Sequence, residues 1–348
     1  MSSSAFATSS SFEGPWGRYA AVDIGSHTVR LLVAEWHADG KLYPLHNERH
    51  VTRLAQGFLE NGLLTDRAME RTAAVLSDIA VHLQNFSPRA VRCGATGVVR
   101  KASNGFDFIR RVQAMAPWKV SILTEAEEAA LSLQGMLSVL QPENDLVVCF
   151  DLGGSSTELA LVDRHSPWPL WIGSVFLGAA TLTETYFQEA PVSMEQVHQA
   201  ARHARRVLQP AVESIFETLQ KASLSGKKWT VAGTAGTVTT LAAMEARMDT
   251  YVPYRINNRT LTKAWIAETV RFLASLSLEA RRGLVGLEPG REDIILGGVV
   301  IVKEILDCFG AFHMLVSDAG LLEGLLLDLL QGAATQSGVS PQWVWRLD

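Results

Sequence analysis

The stretch "DLGGSSTELAL", residues 151–161, holds an acid, two glycines, a run of small hydroxyls, a second acid and then alternating apolar residues. The stretch "DIGSHTVRLLV", residues 23–33, is built on the same plan. Aligning Asp23 with Asp151 sets Gly25 on Gly153. Ser26, His27 and Thr28 then fall against Gly154, Ser155, Ser156 and Thr157, with one residue inserted. Glycine lets a backbone turn tightly and approach a ligand. Successive N–H groups in such a turn form a nest for an anion, and Ser and Thr hydroxyls add donors. An Asp at the strand end, Asp23 or Asp151, suits Mg²⁺, which uses few carboxylates and keeps several waters. Two such turns read as the two jaws of a clamp for a chain of phosphates and its metal. The plainer alternative is a pair of tight hairpins, and one such hairpin alone is weak evidence. Two in matching context are stronger, and "GTAGT" after a later strand (Gly233, Thr234, Gly236, Thr237) offers a third turn.

Working outward, residues 19–36 read as a hairpin around the first turn. Residues 51–64 read as strand and loop. Residues 65–86 have helical spacing with Thr65 as the N-cap. Short strands at 90–94 and 119–123 alternate with helices at 106–115 and 125–140. The plan restarts with strands at 145–151, 157–162 and 170–176. Helices at 179–188 and 194–219, a strand at 228–232, helices at 238–248, 262–276 and 293–309, a strand at 313–316 and a helix at 321–330 complete it. Strands alternating with helices predict an α/β protein. The repeat predicts a duplicated fold with a cleft between its halves. The expected divisions are a Ser-rich leader at 1–17, one domain at 18–140, a second at 141–319 and a tail at 333–348. A helix at 320–332 is a candidate to complete the first domain.

The 348 residues carry 47% hydrophobic and 19% charged side chains, enough for sizeable cores. A net charge of −5 gives no general attraction to nucleic acid or an anionic membrane, so an anionic substrate needs a local site. The leader lacks a basic start and a long apolar core, so it does not read as a signal peptide, and no run is apolar enough to span a membrane. Three scattered cysteines, Cys93, Cys149 and Cys308, predict reduced thiols and a cytoplasmic location. With no CxxC or HExxH, zinc is not expected. Neither GxxxxGK[ST] nor GxGxxG occurs, which excludes the P-loop and Rossmann readings.

Seven segments, in order, are similar to those of the exopolyphosphatase/guanosine pentaphosphate phosphohydrolase (Ppx/GppA) family, within the sugar kinase–Hsp70–actin superfold. They are "AAVDIGSHTVRLLVA", "GATGVVRKASNG", "ILTEAEEAALSLQGM", "VVCFDLGGSSTELALV", "VAGTAGTVTTLAA", "REDIILGGVVIV" and "VSDAGLLEGLL". The resemblance covers residues 19–330. It implies duplicated actin-like domains, Mg²⁺ or another divalent cation, and removal of the terminal phosphate of inorganic polyphosphate. Hydrolysis of the 5′ phosphate of guanosine pentaphosphate, or binding of either without turnover, stays open. So does a kinase of the same superfold. Phosphoryl transfer to water needs an oriented nucleophile and charge neutralisation. The resemblance gives Glu128 the role of base, Asp151 and Glu158 those of metal or water ligands with Asp23 beside them, and Arg100 that of a phosphate contact. Its substrate-binding set is Ser26, His27, Thr28, Arg100, Gly153, Gly154, Ser155, Ser156, Thr157, Gly233, Thr234, Gly236 and Thr237. It also implies a homodimer.

The chain departs from the family pattern at His27 (usually Asn), Ser155 (usually Gly), Thr124-Glu125 (usually Ser-Gly) and Ala130 (usually Arg). Longer relatives carry an HD-type domain. None of the nine histidines here precedes an Asp, so the chain reads as the short two-domain form, with weaker processivity or a preference for short polyphosphates expected. Arg49, Arg53, Arg202, Arg205, Arg206, Arg281 and Arg282 are candidate guides for a polyanion, and the group at 202–206, on one long helix, also reads as an ordinary solvated helix face.

Overall fold

The computed structural model describes residues 14–166 and 169–344, the side chains of Leu59, Glu60 and Tyr254 aside. Two compact units emerge. One comprises the chain up to Thr124 together with the segment from Leu325 onward. The other is the continuous stretch Glu125–Gly324. Residues 1–13 of the expected leader lie outside the described residues. The sequence reading put residues 125–140 with the first domain, whereas this division gives them to the second unit.

The first unit is built on β1 (Gly17–Ile24), β2 (Thr28–Trp36), β3 (Lys41–Val51), β4 (Ala90–Ala95) and β5 (Val120–Ile122), with helices α1 (Phe58–Asn61), α2 (Asp66–Phe86), α3 (Val98–Lys101) and α4 (Gly105–Gln113). β1, β2 and β3 form an antiparallel meander, and β4 and β5 add in parallel beyond β1. Thr65 Oγ1 accepts from the Ala68 N–H at 3.3 Å and starts α2. Ala20, Val22, Ile24, Leu31 and Val33 share a core with Met69, Leu76 and Ile79 of α2 and Phe108 of α4. The expected strand at 51–64 is instead the end of β3 followed by a loop and α1. β3 was hidden because its sequence, KLYPLHNERHV, is polar and contains a proline.

The second unit contains β6 (Leu146–Leu152), β7 (Thr157–Asp163), β8 (Trp171–Val175), β9 (Trp229–Thr234), β10 (Thr260–Thr262) and β11 (His313–Val316). Its helices are α5 (Glu125–Leu137), α6 (Ala179–Tyr186), α7 (Met194–Lys221), α8 (Ala235–Glu245), α9 (Lys263–Ser275), α10 (Leu278–Arg282) and α11 (Ile295–Cys308). The sheet runs β10-β11-β9-β6-β7-β8: β6, β7 and β8 again form an antiparallel meander, β9 and β11 add in parallel beyond β6, and β10 closes that edge antiparallel to β11. Helices α7, α8, α9 and α11 cover one face in a large apolar core. Leu133 and Met136 of α5 cover the other, against Val147, Cys149, Ala160 and Ala232. Ser193 and Gln196 cap α7 reciprocally, with Gln196 N–H on Ser193 Oγ and Ser193 N–H on Gln196 Oε1.

The last helix, α12 (Leu321–Ser337), starts in the second unit and continues in the first. In the second unit its glycines let it meet α5 backbone to backbone. A Cβ on Gly135 would stand 1.9 Å from Gly320 O, and one on Gly324 would stand 1.9 Å from Leu131 O. In the first unit Leu325 packs on Gly94, and Asp328 pairs with Arg92 at 3.2 Å. β12 (Gln342–Trp343) then joins the edge of β3, so part of the expected tail belongs to the first sheet. No helix among the described residues is long and apolar enough to cross a membrane.

Candidate active site

The two acid–glycine turns have one geometry. Gly25 N–H donates to Thr28 O at 2.9 Å, and Gly153 N–H donates to Ser156 O at 3.0 Å. A Cβ on either glycine would lie 3.2 Å from that same carbonyl oxygen. Ile24 pairs with Val29 across the first turn, and Leu152 with Thr157 across the second. Both loops therefore have four residues, and the insertion expected from the sequence is absent. His27 matches Ser155, and Thr28 matches Ser156. Thr157 falls in β7, fully buried, with its hydroxyl donating to Leu177 O at 2.5 Å. Its side chain is a strand anchor rather than a loop donor.

This register also exposes a difference. Asp151 stands opposite Glu158, whereas Asp23 stands opposite Arg30. Arg30 in turn stands opposite Arg49 on β3. The turn of the second unit thus carries a pair of acids, and that of the first an acid beside a row of two arginines. Sequence reasoning missed Arg30, although its place seven residues after Asp23, like that of Glu158 after Asp151, was legible once the loops were aligned without a gap.

In the second unit the structure brings Glu128, Asp151 and Glu158 together. Ser132 lies four residues after Glu128, on the same side of α5, and its hydroxyl donates to Asp151 Oδ2 at 3.1 Å. Glu128 is half-buried while its neighbour Glu127 is exposed. A narrow pocket between α5 and the sheet is lined by Ala129, Ser132, Met136, Asp151, Glu158 and Thr234, among others. Glu158 Oε1 accepts from Ser156 Oγ at 2.8 Å and Ser174 Oγ at 3.0 Å. Even so, burial first, then the charge of Asp151 and more weakly that of Glu128, push the Glu158 carboxyl up to about 7.

That elevation tests the fit of a cation. Clustered carboxylates that resist ionisation are short of positive charge, and hard oxygen donors suit a divalent ion such as Mg²⁺. Among the described residues, no three His, Cys, Asp or Glu side chains converge as a complete metal cage. Mg²⁺ does not require one, because it is held by one or two carboxylates plus water and substrate phosphates.

The turn of the second unit, loop 2 (residues 153–156), is braced from behind. The N–H groups of Ala179, Ala180 and Thr181 at the start of α6 donate to Gly153 O and Gly154 O at 2.8–3.2 Å. A Cβ on Gly178 would collide with the Gly154 carbonyl carbon at 2.3 Å, so only glycine fits there. Gly154 and Ser155 are left exposed. In the turn of the first unit, loop 1 (residues 25–28), Ser26 Oγ accepts from Val98 N–H at 3.0 Å, and His27 is exposed. Arg100 lies in the short α3, where the sequence predicted only a turn, and Nη1 donates to Leu123 O at 2.9 Å.

The third turn is placed differently from expectation. Gly233 lies in β9 and packs on the Phe150 ring, and Thr234, which ends that strand, donates through Oγ1 to Ala319 O at 2.9 Å. Gly236 and Thr237 lie in the first turn of α8, with Thr237 buried and the Arg291 guanidinium lying against Gly236. Gly233 and Thr237 therefore pack inside the unit, Thr234 is tied to Ala319 while lining the pocket beside Asp151, and Arg291 is a cation at this turn that sequence reasoning did not single out. Several proposed polyanion guides are occupied elsewhere. Arg281 is buried, donating to Leu273 O and Glu292 O, and Arg202, Arg205 and Arg282 pair with Glu195, Glu304 and Glu292.

Two sheets with the same five-strand core, each presenting the same acid–glycine turn beside its central strand, define a duplicated actin-like α/β fold. The solved PPX-GPPA enzyme of Aquifex aeolicus shares it, with a TM-score of 0.74 and 30% identity over 90% of this chain and 99% of that one. An exopolyphosphatase structure from Cytophaga hutchinsonii has the same fold, with a TM-score of 0.78 at 24% identity over 90% and 98% of the two chains. Exopolyphosphatase 2 of Mycobacterium tuberculosis is 31% identical over 324 residues, 90% of this chain and 98% of that protein. The Ppx/GppA phosphatase family profile matches residues 32–333. The chain belongs to that family and is a phosphoanhydride hydrolase.

Proposed function

We propose that the protein is an exopolyphosphatase that removes the terminal phosphate of inorganic polyphosphate, with Glu128 as the general base. The observation that carries this reading is the gathering of Glu128, Asp151 and Glu158 beside loop 2. Glu128 takes a proton from water as the water oxygen attacks the terminal phosphorus. The bridging P–O bond breaks, orthophosphate is released, and the shortened chain keeps the bridging oxygen. The N–H groups of Gly154 and Ser155 and the Ser155 hydroxyl offer donors to the phosphate oxygens. Asp151 and Glu158 would hold the divalent ion, which when bound neutralises phosphate charge. Ser132 orients Asp151, and Ser156 and Ser174 orient Glu158. The free cysteines Cys93, Cys149 and Cys308 fit a reducing compartment such as the cytoplasm.

The test is phosphate release from short and long polyphosphate with Mg²⁺, by wild type and Glu128→Gln. The variant should lose ~10²–10⁴-fold in rate while still binding the polymer. An unimpaired Glu128→Gln removes the base assignment. A wild type that binds polyphosphate without releasing phosphate removes the enzyme reading in favour of a binding protein. Guanosine pentaphosphate, which presents the same type of bond, is the second substrate to assay.

A further inference from the structure

Loop 1 is held by the segment that follows β3. Thr52 N–H and Arg53 N–H both donate to His27 O, at 2.9 and 2.8 Å, and Ala55 N–H donates to Ser26 O at 2.9 Å. At the centre of this attachment Arg53 has φ +48°, in the left-handed region. A side chain with a Cβ is strained there, and glycine is not. The chain uses glycine at the next left-handed positions, Gly57 (φ +83°) before α1 and Gly62 (φ +71°) after it.

Arg71 of α2 fixes the strained turn. Its Nε donates to Thr52 O at 2.5 Å, and its Nη2 donates to Arg53 O at 3.1 Å and Gln56 Oε1 at 3.4 Å. Gln56 N–H also donates to Arg53 O at 3.0 Å. The Arg53 backbone is therefore fully engaged. Its side chain is exposed, and among the described residues no carboxylate or carbonyl receives its guanidinium. Packing gives no reason for an arginine here, since glycine would make the same backbone bonds with less strain. Strain that surrounding structure holds in place beside a ligand loop is a mark of function.

We propose that Arg53 is a substrate-binding residue, whose side chain is kept on a strained turn beside loop 1 to contact the phosphates of the anionic substrate. This rests on the exopolyphosphatase reading and extends it to a residue outside the two acid–glycine turns. A guanidinium suits phosphate, whose oxygens it meets with paired N–H donors.

The strain makes the test two-sided. In the full-length protein, Arg53→Gly keeps the turn and removes the guanidinium, whereas Arg53→Lys keeps both the strain and a charge. Arg53→Gly should melt ~3 °C higher than wild type. Its KM for short-chain polyphosphate should rise about ten-fold with a much smaller change in kcat. Arg53→Lys should gain no stability and recover most of the affinity. A higher melting midpoint with unchanged KM overturns the proposal, because the strain would then serve no binding role. A lower midpoint overturns it too, by making the arginine a structural brace. Should wild type release no phosphate, the exopolyphosphatase reading fails by itself. Binding of a labelled short polyphosphate, compared between wild type and Arg53→Gly, then decides the part played by Arg53.

Discussion

Glu158 and Arg30 occupy the same place in the two sheets, each opposite the aspartate one residue before the end of its neighbouring strand. That one exchange separates the turns chemically, because two acids attract a cation and an acid with arginines attracts an anion. Its energetic trace is the Glu158 carboxyl, held near 7 by burial and by Asp151. An unfolded glutamate titrates near ~4.3. The protonated form is thus favoured by folding, and this stabilisation is complete below about pH 4 and is lost as pH rises through about 7. In metal-free protein, Glu158→Gln should be more stable than wild type at pH 8, by on the order of 2 kcal/mol, and equal to it at pH 4. Added Mg²⁺ should raise the melting midpoint of wild type more than that of the variant. Parallel melting curves from pH 4 to 8 would show that Glu158 carries no such strain. The aspartates, glycines and hydroxyls were legible in the sequence because turn chemistry is local. The equal loop lengths were not, because only the strand register shows that Thr157 pairs with Leu152 rather than belonging to the turn.

Elements with a clear period were read well and those without one were not. α2, α7 and α11 show apolar spacing or capping residues that act within a few positions. β3 shows neither, and its polar alternation serves a contact distant in sequence. His46 Nε2, His50 Nε2 and His82 Nδ1 all donate to the Glu48 carboxylate, at 2.6, 2.8 and 2.9 Å, joining β3 to α2. Burial works against the Glu48 charge, but the three imidazole donors outweigh it and hold the carboxyl below its usual range. A depressed carboxyl stabilises the fold above its unfolded value and ceases to do so as pH falls through its folded value. Glu48→Gln should therefore cost about 1–2 kcal/mol at pH 7, with the difference shrinking in acid below about pH 4. Melting of both proteins at pH 7 and pH 3.5 checks this, and equal midpoints at pH 7 would refute it. α5 was legible as a helix, but its assignment to the second unit was not. That depends on Gly135, Gly320 and Gly324 allowing two backbones to touch, a contact between positions nearly two hundred residues apart.

At the scale of the molecule, duplication was visible in the repeated motif, and the two sheets share the order of five strands, with β12 and β10 as unmatched additions at their edges. The second unit is one uninterrupted stretch of chain with its own apolar core. Residues 125–324 produced alone should fold and melt cooperatively, whereas residues 14–124 without the segment 325–344 should not. Circular dichroism with thermal melting tests both, and a non-cooperative 125–324 fragment would contradict the division. The split first unit also sets an order of events on the ribosome. Its sheet is synthesised early but must wait for Leu325, Asp328 and β12. At ~5–20 residues per second that wait lasts on the order of ten to forty seconds. Throughout it β3 is an open strand edge, the kind of surface on which nascent chains aggregate, and β12 later covers only its start at Lys41 and Leu42. Lysine, histidine, glutamate and arginine along β3 are poor partners for another strand. The polarity that concealed this strand from a reader of the sequence is also its protection during birth.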